Sequence, residues 1–151
     1  VSVWTRADGF SVSDEPARLD RDRVHGWLAR ESYWATGIPR DLFERSLAGA
    51  MCFGVYAPDG AQTGFARVIT DRATFGYLGD VFVAAASRGR GLSKFLLDTI
   101  FAHPELQGFR RWNLVTGDAQ ALYARYGFAP LGAPERWMER SRPGPYPLAG
   151  A

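Results

Sequence analysis

Apolar runs at Met51–Tyr56 and Thr63–Ile69, separated by Pro58-Asp59-Gly60, predict two strands joined by a hairpin, because Pro and Gly set turn dihedrals that other residues adopt less readily. A third, longer strand is expected over Ala73–Val83, after a turn at Asp71-Arg72, and a short one over Phe10–Ser13. Elsewhere the spacing is helical. Val24, Trp27 and Leu28 share a face behind Asp20, a residue suited to capping a helix N-terminus; Leu42, Phe43 and Leu47 follow Pro39, which favours a first turn. Leu92, Phe95, Leu96 and Ile100 mark a third helix. Asn113–Thr116 reads as a strand, and Ala119, Leu122, Tyr123 and Tyr126 as a fourth helix that stops at Gly127, with Phe128 restarting an extended segment and further strands expected beyond it.

The third strand runs through Asp80-Val81-Phe82-Val83 into Ala84-Ala85-Ala86-Ser87-Arg88-Gly89-Arg90-Gly91-Leu92-Ser93-Lys94, so an Arg/Gly loop opens directly into a helix. Glycines let successive N–H groups turn toward one point, and the free N–H groups and dipole of the helix start favour an anion there. Spacing separates the loops that work this way. A nucleoside-triphosphate loop needs G-x-x-x-x-G-K-[ST], but here Ser93 precedes Lys94 and the glycines are too close. A dinucleotide loop needs a third glycine where Lys94 stands.

Arg88-Gly89-Arg90-Gly91-Leu92-Ser93 resembles the pyrophosphate loop of the GNAT superfamily of acetyltransferases, Gln/Arg-x-x-Gly-x-Gly/Ala, with Ser93 in the last small position. Downstream, Ala119-Gln120-Ala121-Leu122-Tyr123-Ala124-Arg125-Tyr126-Gly127-Phe128 is similar to the GNAT ending A-x-x-(F/L)-Y-x-(K/R)-x-G-F. The two motifs stand in the family's order, and the likeness is specific over residues 74–131. It implies an α+β fold, a mixed sheet flanked by helices whose strands splay at a site for acetyl-coenzyme A.

At 151 residues and 46% hydrophobic content the chain can bury one sizeable core, so one domain over 1–141 is expected, with an irregular Pro/Gly-rich tail over 142–151. Eighteen basic residues against 16 acidic, interleaved as in Asp20-Arg21-Asp22-Arg23, describe a solvated mixed surface and no nucleic-acid partner. Lone Cys52 excludes an internal disulfide and a cysteine-rich metal site, and fits a reducing cytoplasm. No metal is expected. No run approaches the roughly 18 apolar residues of a membrane span, and no charged-then-apolar leader opens the chain, so neither a membrane partner nor export is expected.

The resemblance also implies roles. Phe82 and Val83 would offer backbone groups to the pantetheine arm, and Arg88, Gly89, Arg90, Gly91, Leu92, Ser93 and Lys94 would hold the pyrophosphate, chiefly by main-chain N–H groups, with the two arginines adding charge from the rim. A backbone N–H near Val83 would polarise the thioester carbonyl. Tyr123 occupies the position of a family tyrosine that donates to the departing thiolate. Asp80 resembles an acidic residue that lies beside the amine in glucosamine-phosphate acetyltransferases, and an apolar strand setting would make it a better base; Glu31 and solvent are the alternatives. Tyr33, Trp34, Tyr77 and Glu31 are candidate acceptor-pocket residues. Thr116 replaces a common family asparagine, which removes any cofactor contact made by that side chain. The implied partner is a small primary amine acetylated by direct transfer, with a homodimer allowed; the rival reading is a catalytically silent module that binds coenzyme A or an acyl-coenzyme A.

Overall fold

The computed structural model describes residues 1–142 and Tyr146, so most of the tail expected over 142–151 lies outside the described residues. Six strands form one sheet in sequential order: β1 (Val3–Thr5), β2 (Ser11–Ser13), β3 (Met51–Tyr56), β4 (Gln62–Thr70), β5 (Phe75–Val83) and β6 (Arg111–Asn113). Every pairing is antiparallel except β5–β6. A parallel neighbour needs a crossover, and helix α3 (Leu92–Ala102) supplies it.

Apolar residues on the two sides of the sheet make two cores. Leu96, Leu97 and Ile100 of α3, none of them exposed, pack on Phe53, Val55, Ala66 and Val68. On the other side α1 (Arg21–Gly26), the turn that follows it and α2 (Arg40–Ala48) bring Val24, Leu28, Phe43 and Leu47 onto Cys52, Phe65 and Phe82. Asp20 caps α1 as its residue type predicts, its carboxylate accepting from the Arg23 N–H at 3.1 Å. After Gly26 the helix widens into a π-type turn, Trp27–Glu31.

Several boundaries differ from the sequence reading. β5 begins at Phe75 because the Asp71 carboxylate gathers the N–H groups of Ala73, Thr74 and Phe75 and holds the preceding residues in a turn. β6 covers Arg111–Asn113 instead of Asn113–Thr116, since Thr116 Oγ1 accepts from the Ala119 N–H and draws 116–119 into the approach to α4 (Gln120–Ala124). α4 stops short of Tyr126, and Gly127, at φ 88°, ends the turn as expected. The strands expected after Phe128 are absent among the described residues, where only a short 3₁₀ turn, Pro134–Arg136, is regular. Among the described residues the outer edge of β6 is therefore unpaired.

His103, 4% exposed, fastens the end of α3 to β2. Its Nδ1 accepts the Glu105 N–H at 3.0 Å, which leaves Nε2 to donate to Asp14 Oδ2 at 2.8 Å. Burial works to raise the Asp14 carboxyl, but the Ser2 N–H and His103 outweigh it and leave it below its usual range. A carboxyl lowered by folding adds stability above its unfolded pKa of about 3.9, and that stability is lost as pH falls through the folded value. Asp14→Ala should lower the Tm at pH 7 by several degrees, since unpairing a buried donor costs about 1–3 kcal/mol. The penalty should shrink as pH falls below about 4, where the carboxyl of the unfolded chain takes up its proton, and should level off once the folded carboxyl, held lower, is protonated too. A pH-independent difference between the two melting curves would refute this account.

Candidate functional site

The β5–β6 pairing covers only Phe75–Tyr77 against Arg111–Asn113. Beyond it β5 runs on to Val83 while the chain after β6 turns away through 114–119, so the sheet splits. A bulge sits on the free stretch of β5: Phe82 pairs with Phe65 and Gly79 with Arg67, which leaves Asp80 and Val81 together opposite Ala66. Asp80 takes φ 55°, a left-handed conformation that Asp tolerates better than most residues.

Past Val83 a 3₁₀ turn, Ala85–Ser87, leads to Arg88 and the two glycines. Gly89 and Gly91 have φ values of 81° and 70°, and a Cβ on Gly89 would meet nothing within 4 Å. Gly91 is the N-cap of α3 and offers no side-chain cap, so the first N–H groups of the helix stay free for a ligand. Arg6, just past β1 and paired with Asp8 at 2.6 Å, reaches this loop, its Nη1 donating to the Arg90 carbonyl at 2.9 Å and standing 3.6 Å from the place of a Gly91 Cβ. Open glycines, uncapped N–H groups and arginines fit a pyrophosphate.

At the split lies a cleft of about 340 Å³, walled by Tyr33, Trp34 and Ile38 from the α1–α2 connection, Arg67 of β4, Tyr77 to Val81 of β5, the 114–119 loop and Tyr123. An anion cradle at one end of a split sheet and a small aromatic cleft beside the split form one continuous arrangement. The model of the GNAT acetyltransferase domain matches residues 49–130, from β3 through the segment after α4. The chain belongs to the GNAT acetyltransferase family. A GNAT-family acetyltransferase of Xanthomonas campestris pv. campestris has a crystal structure that superposes with a TM-score of 0.88 at 50% identity, covering 91% of this chain and 96% of that one. A Gibberella zeae protein assigned as an acetyltransferase is 32% identical over 143 residues, 81% of this chain and 79% of its own. Glucosamine-6-phosphate N-acetyltransferase from Arabidopsis thaliana shares the fold alone, with a TM-score of 0.63 at 14% identity over 88% and 97% of the two chains.

Within this GNAT site the residues named from sequence fall in different places. Tyr123 is buried, 8% exposed, and burial pushes its phenol up to about 12, with Tyr33 and Asp118 adding in the same direction. Asp80 reaches the cleft, but in different surroundings from those expected. In place of an apolar setting it has the Arg67 Nε on Oδ2 and the Trp34 indole N–H on Oδ1, at 2.8 Å. The bulge causes this, because it rotates Asp80 out of strand alternation toward Trp34 and toward Arg67 on the neighbouring strand.

Trp34 thus fixes the carboxylate as well as forming a wall. The Tyr33 hydroxyl accepts the Gly117 N–H at 2.7 Å, so this aromatic ties the α1–α2 connection to the loop before α4. Tyr77 lines the cleft; Glu31 is exposed and is not part of the wall. His25 is engaged with the Ile38 carbonyl, and neither histidine lines the cleft.

In the glycine loop Arg88 folds back, its Nε donating to the Val83 carbonyl at 3.1 Å and its guanidinium lying 5.6 Å from the Phe82 ring centroid. It braces the strand end rather than standing free at the rim, and it occupies a carbonyl that Val83 was expected to offer. The Leu92 side chain is 2% exposed in the core, which leaves its N–H as its contribution. Lys94 pairs with Asp98 one turn along the helix at 2.6 Å, while Ser93 and Arg90 remain at the loop. Arg6 and Arg67 were missed by the sequence reading, since Arg6 comes from the turn after β1, Arg67 from β4, and neither lies in a motif. Among the described residues no group of three or more His, Cys, Asp or Glu is arranged to hold a metal ion, and no helix is long and apolar enough to cross a membrane.

Proposed function

We propose that this acetyltransferase moves the acetyl group of acetyl-coenzyme A directly to a primary amine of a small molecule. The observation that carries this reading is the continuity of the glycine loop, the split beside β5 and the cleft bounded by Tyr123 and Asp80. Acetyl-coenzyme A supplies an activated thioester, and the chain's residues bind and orient it. Free N–H groups at the start of α3, with Arg6 and Arg90 nearby, hold the pyrophosphate. The split lets the pantetheine arm run beside Leu78–Val83, where unpaired backbone groups of β5 and its bulge face it.

The acceptor enters from the aromatic side. A volume near 340 Å³ is at the low end of small-ligand sites and favours a compact amine. Asp80 attracts the substrate ammonium and takes its proton, directly or through water, so that a neutral amine attacks the thioester carbonyl. The Tyr123 phenol, near 12, holds its proton more tightly than an ordinary thiol near about 8.5, so its contribution is a hydrogen bond to the departing sulfur with little net proton transfer. A buried Cys52, pushed up to about 11 chiefly by burial, is inert as a nucleophile and supports direct transfer in a reducing compartment such as the cytoplasm. The deciding experiment is release of free coenzyme A thiol from acetyl-coenzyme A across an amine library. Saturable binding with no acceptor turned over would favour a silent binding module.

Asp80→Asn should cut turnover at neutral pH and recover part of it at alkaline pH, where the amine deprotonates unaided. An unchanged pH profile with a lower Tm would make Asp80 a structural anchor for Trp34 and Arg67. A homodimer is the oligomeric state we propose, supported by the β6 edge, unpaired among the described residues, by Leu131 and Trp137, which stand 41% and 39% exposed beside it, and by Met138, 95% exposed and next along the chain to Trp137. Sedimentation should report a dimer, and Leu131→Asp with Met138→Asp a monomer.

A further inference from the structure

Arg67 is four-fifths buried, its side chain 20% exposed, and it carries five N–H donors. Only Nε is committed among the described residues, to Asp80. Nη1 and Nη2 have no protein acceptor there, yet neither is sealed from solvent, and the side chain forms part of the cleft wall. Opposite it across the β4–β5 pairing stands Gly79, where a Cβ would meet only the Tyr77 ring, at 3.5 Å. A single ion pair would be satisfied by a lysine; a planar fork with its outer edge turned to a cleft suits a two-oxygen anion.

We propose that the acceptor carries an oxyanion group, a carboxylate or a phosphate, which Arg67 binds through Nη1 and Nη2. This rests on the acetyl-transfer reading of the same cleft. Asp80 and Arg67 touch, so groups bound to each lie side by side. The amine near Asp80 and the anion on Arg67 are therefore only a few bonds apart, as in an α- or β-amino acid or a phosphorylated ethanolamine. Tyr33, Trp34 and Tyr77 surround the short link between them.

Matched acceptors test this: propylamine, β-alanine and O-phosphoethanolamine, with thiol release as readout. Wild type should turn over at least one acidic member with kcat/KM at least about tenfold above propylamine, a bidentate charged contact being worth at least about 1.5 kcal/mol. The arm that is preferred identifies carboxylate or phosphate. Arg67→Gln should bring that ratio close to one, chiefly through KM for the acidic member, and Arg67→Lys should restore part of it. If Arg67 merely holds Asp80, its loss lowers all three acceptors by the same factor and the ratio stays, which overturns the proposal, as does a wild type with no preference for either acid.

A second readout needs no turnover. In the presence of coenzyme A, propionate or ethyl phosphate should raise the Tm of wild type in a salt-sensitive way, and should not do so for Arg67→Gln. Anion binding without any acetylation would sink the acetyl-transfer reading and leave the oxyanion site standing. Acetylation of propylamine without anion binding would do the reverse.

Discussion

Gly91→Asp is expected to abolish coenzyme A binding while leaving the fold in place. Wild type should gain about 5–10 °C in Tm at a hundredfold excess over Kd, from about 2.7 kcal/mol of linkage spread over a chain of this size. The variant should gain nothing, because like charges brought together cost several kcal/mol and each 1.4 kcal/mol is a factor of ten, so affinity falls by at least about a hundredfold. The backbone at Gly91 has φ 70°, which Asp tolerates better than most residues, and the new Cβ would meet only Arg6 Nη1, at an ordinary 3.6 Å. Folding is thus preserved, and Gly91→Asn, with the same shape and no charge, separates repulsion from strain. An aspartate variant that still binds coenzyme A as wild type would remove the loop from the cofactor site.

Tyr123→Phe is expected to slow turnover by roughly tenfold to a thousandfold, the cost of removing one hydrogen-bond donor from a developing anion, with coenzyme A affinity nearly unchanged. The ring remains, so its packing against Phe128 at 6.1 Å between centroids is kept and the Tm should hardly move. With its phenol pushed up to about 12, Tyr123 stays protonated throughout the working range. The wild-type rate should therefore show no fall between about pH 8 and 10 that the Phe variant lacks. Full activity in Tyr123→Phe, with chemistry established as the slow step, would reduce the tyrosine to a packing residue.

The family and most of the sheet were legible along the chain because the relevant physics is local. Apolar runs at Met51–Tyr56 and Thr63–Ile69 with the Pro-Asp-Gly turn between them became β3 and β4, and the spacing of Leu92, Leu96 and Ile100 became the buried face of α3. Gly89 and Gly91 do adopt left-handed dihedrals, as a loop of backbone donors requires. Three-residue β1 was not foreseen, since so short a strand exists only through its pairing with β2. The strands expected after Phe128 did not form among the described residues although β6 has an open edge there, because Pro130, Gly132 and Pro134 interrupt the segment and proline has no N–H to give to a ladder.

The sequence by itself determined the order of elements from β2 to α4, the left-handed glycine loop that opens α3 and the presence of Tyr123 ahead of a glycine helix stop, because turn chemistry and helical spacing act over a few residues. Only the tertiary structure decided what Asp80 and Arg88 do. A bulge on β5 placed Asp80 against Arg67 and Trp34, 13 and 46 residues away, and Arg88 turned back onto Val83 instead of facing the rim. Arg67 entered the site by strand pairing and Arg6 by a side-chain reach from the turn after β1, neither by motif. Whether a charged side chain is free, paired or aimed at a ligand depends on neighbours supplied by other strands, and that is settled when the sheet assembles.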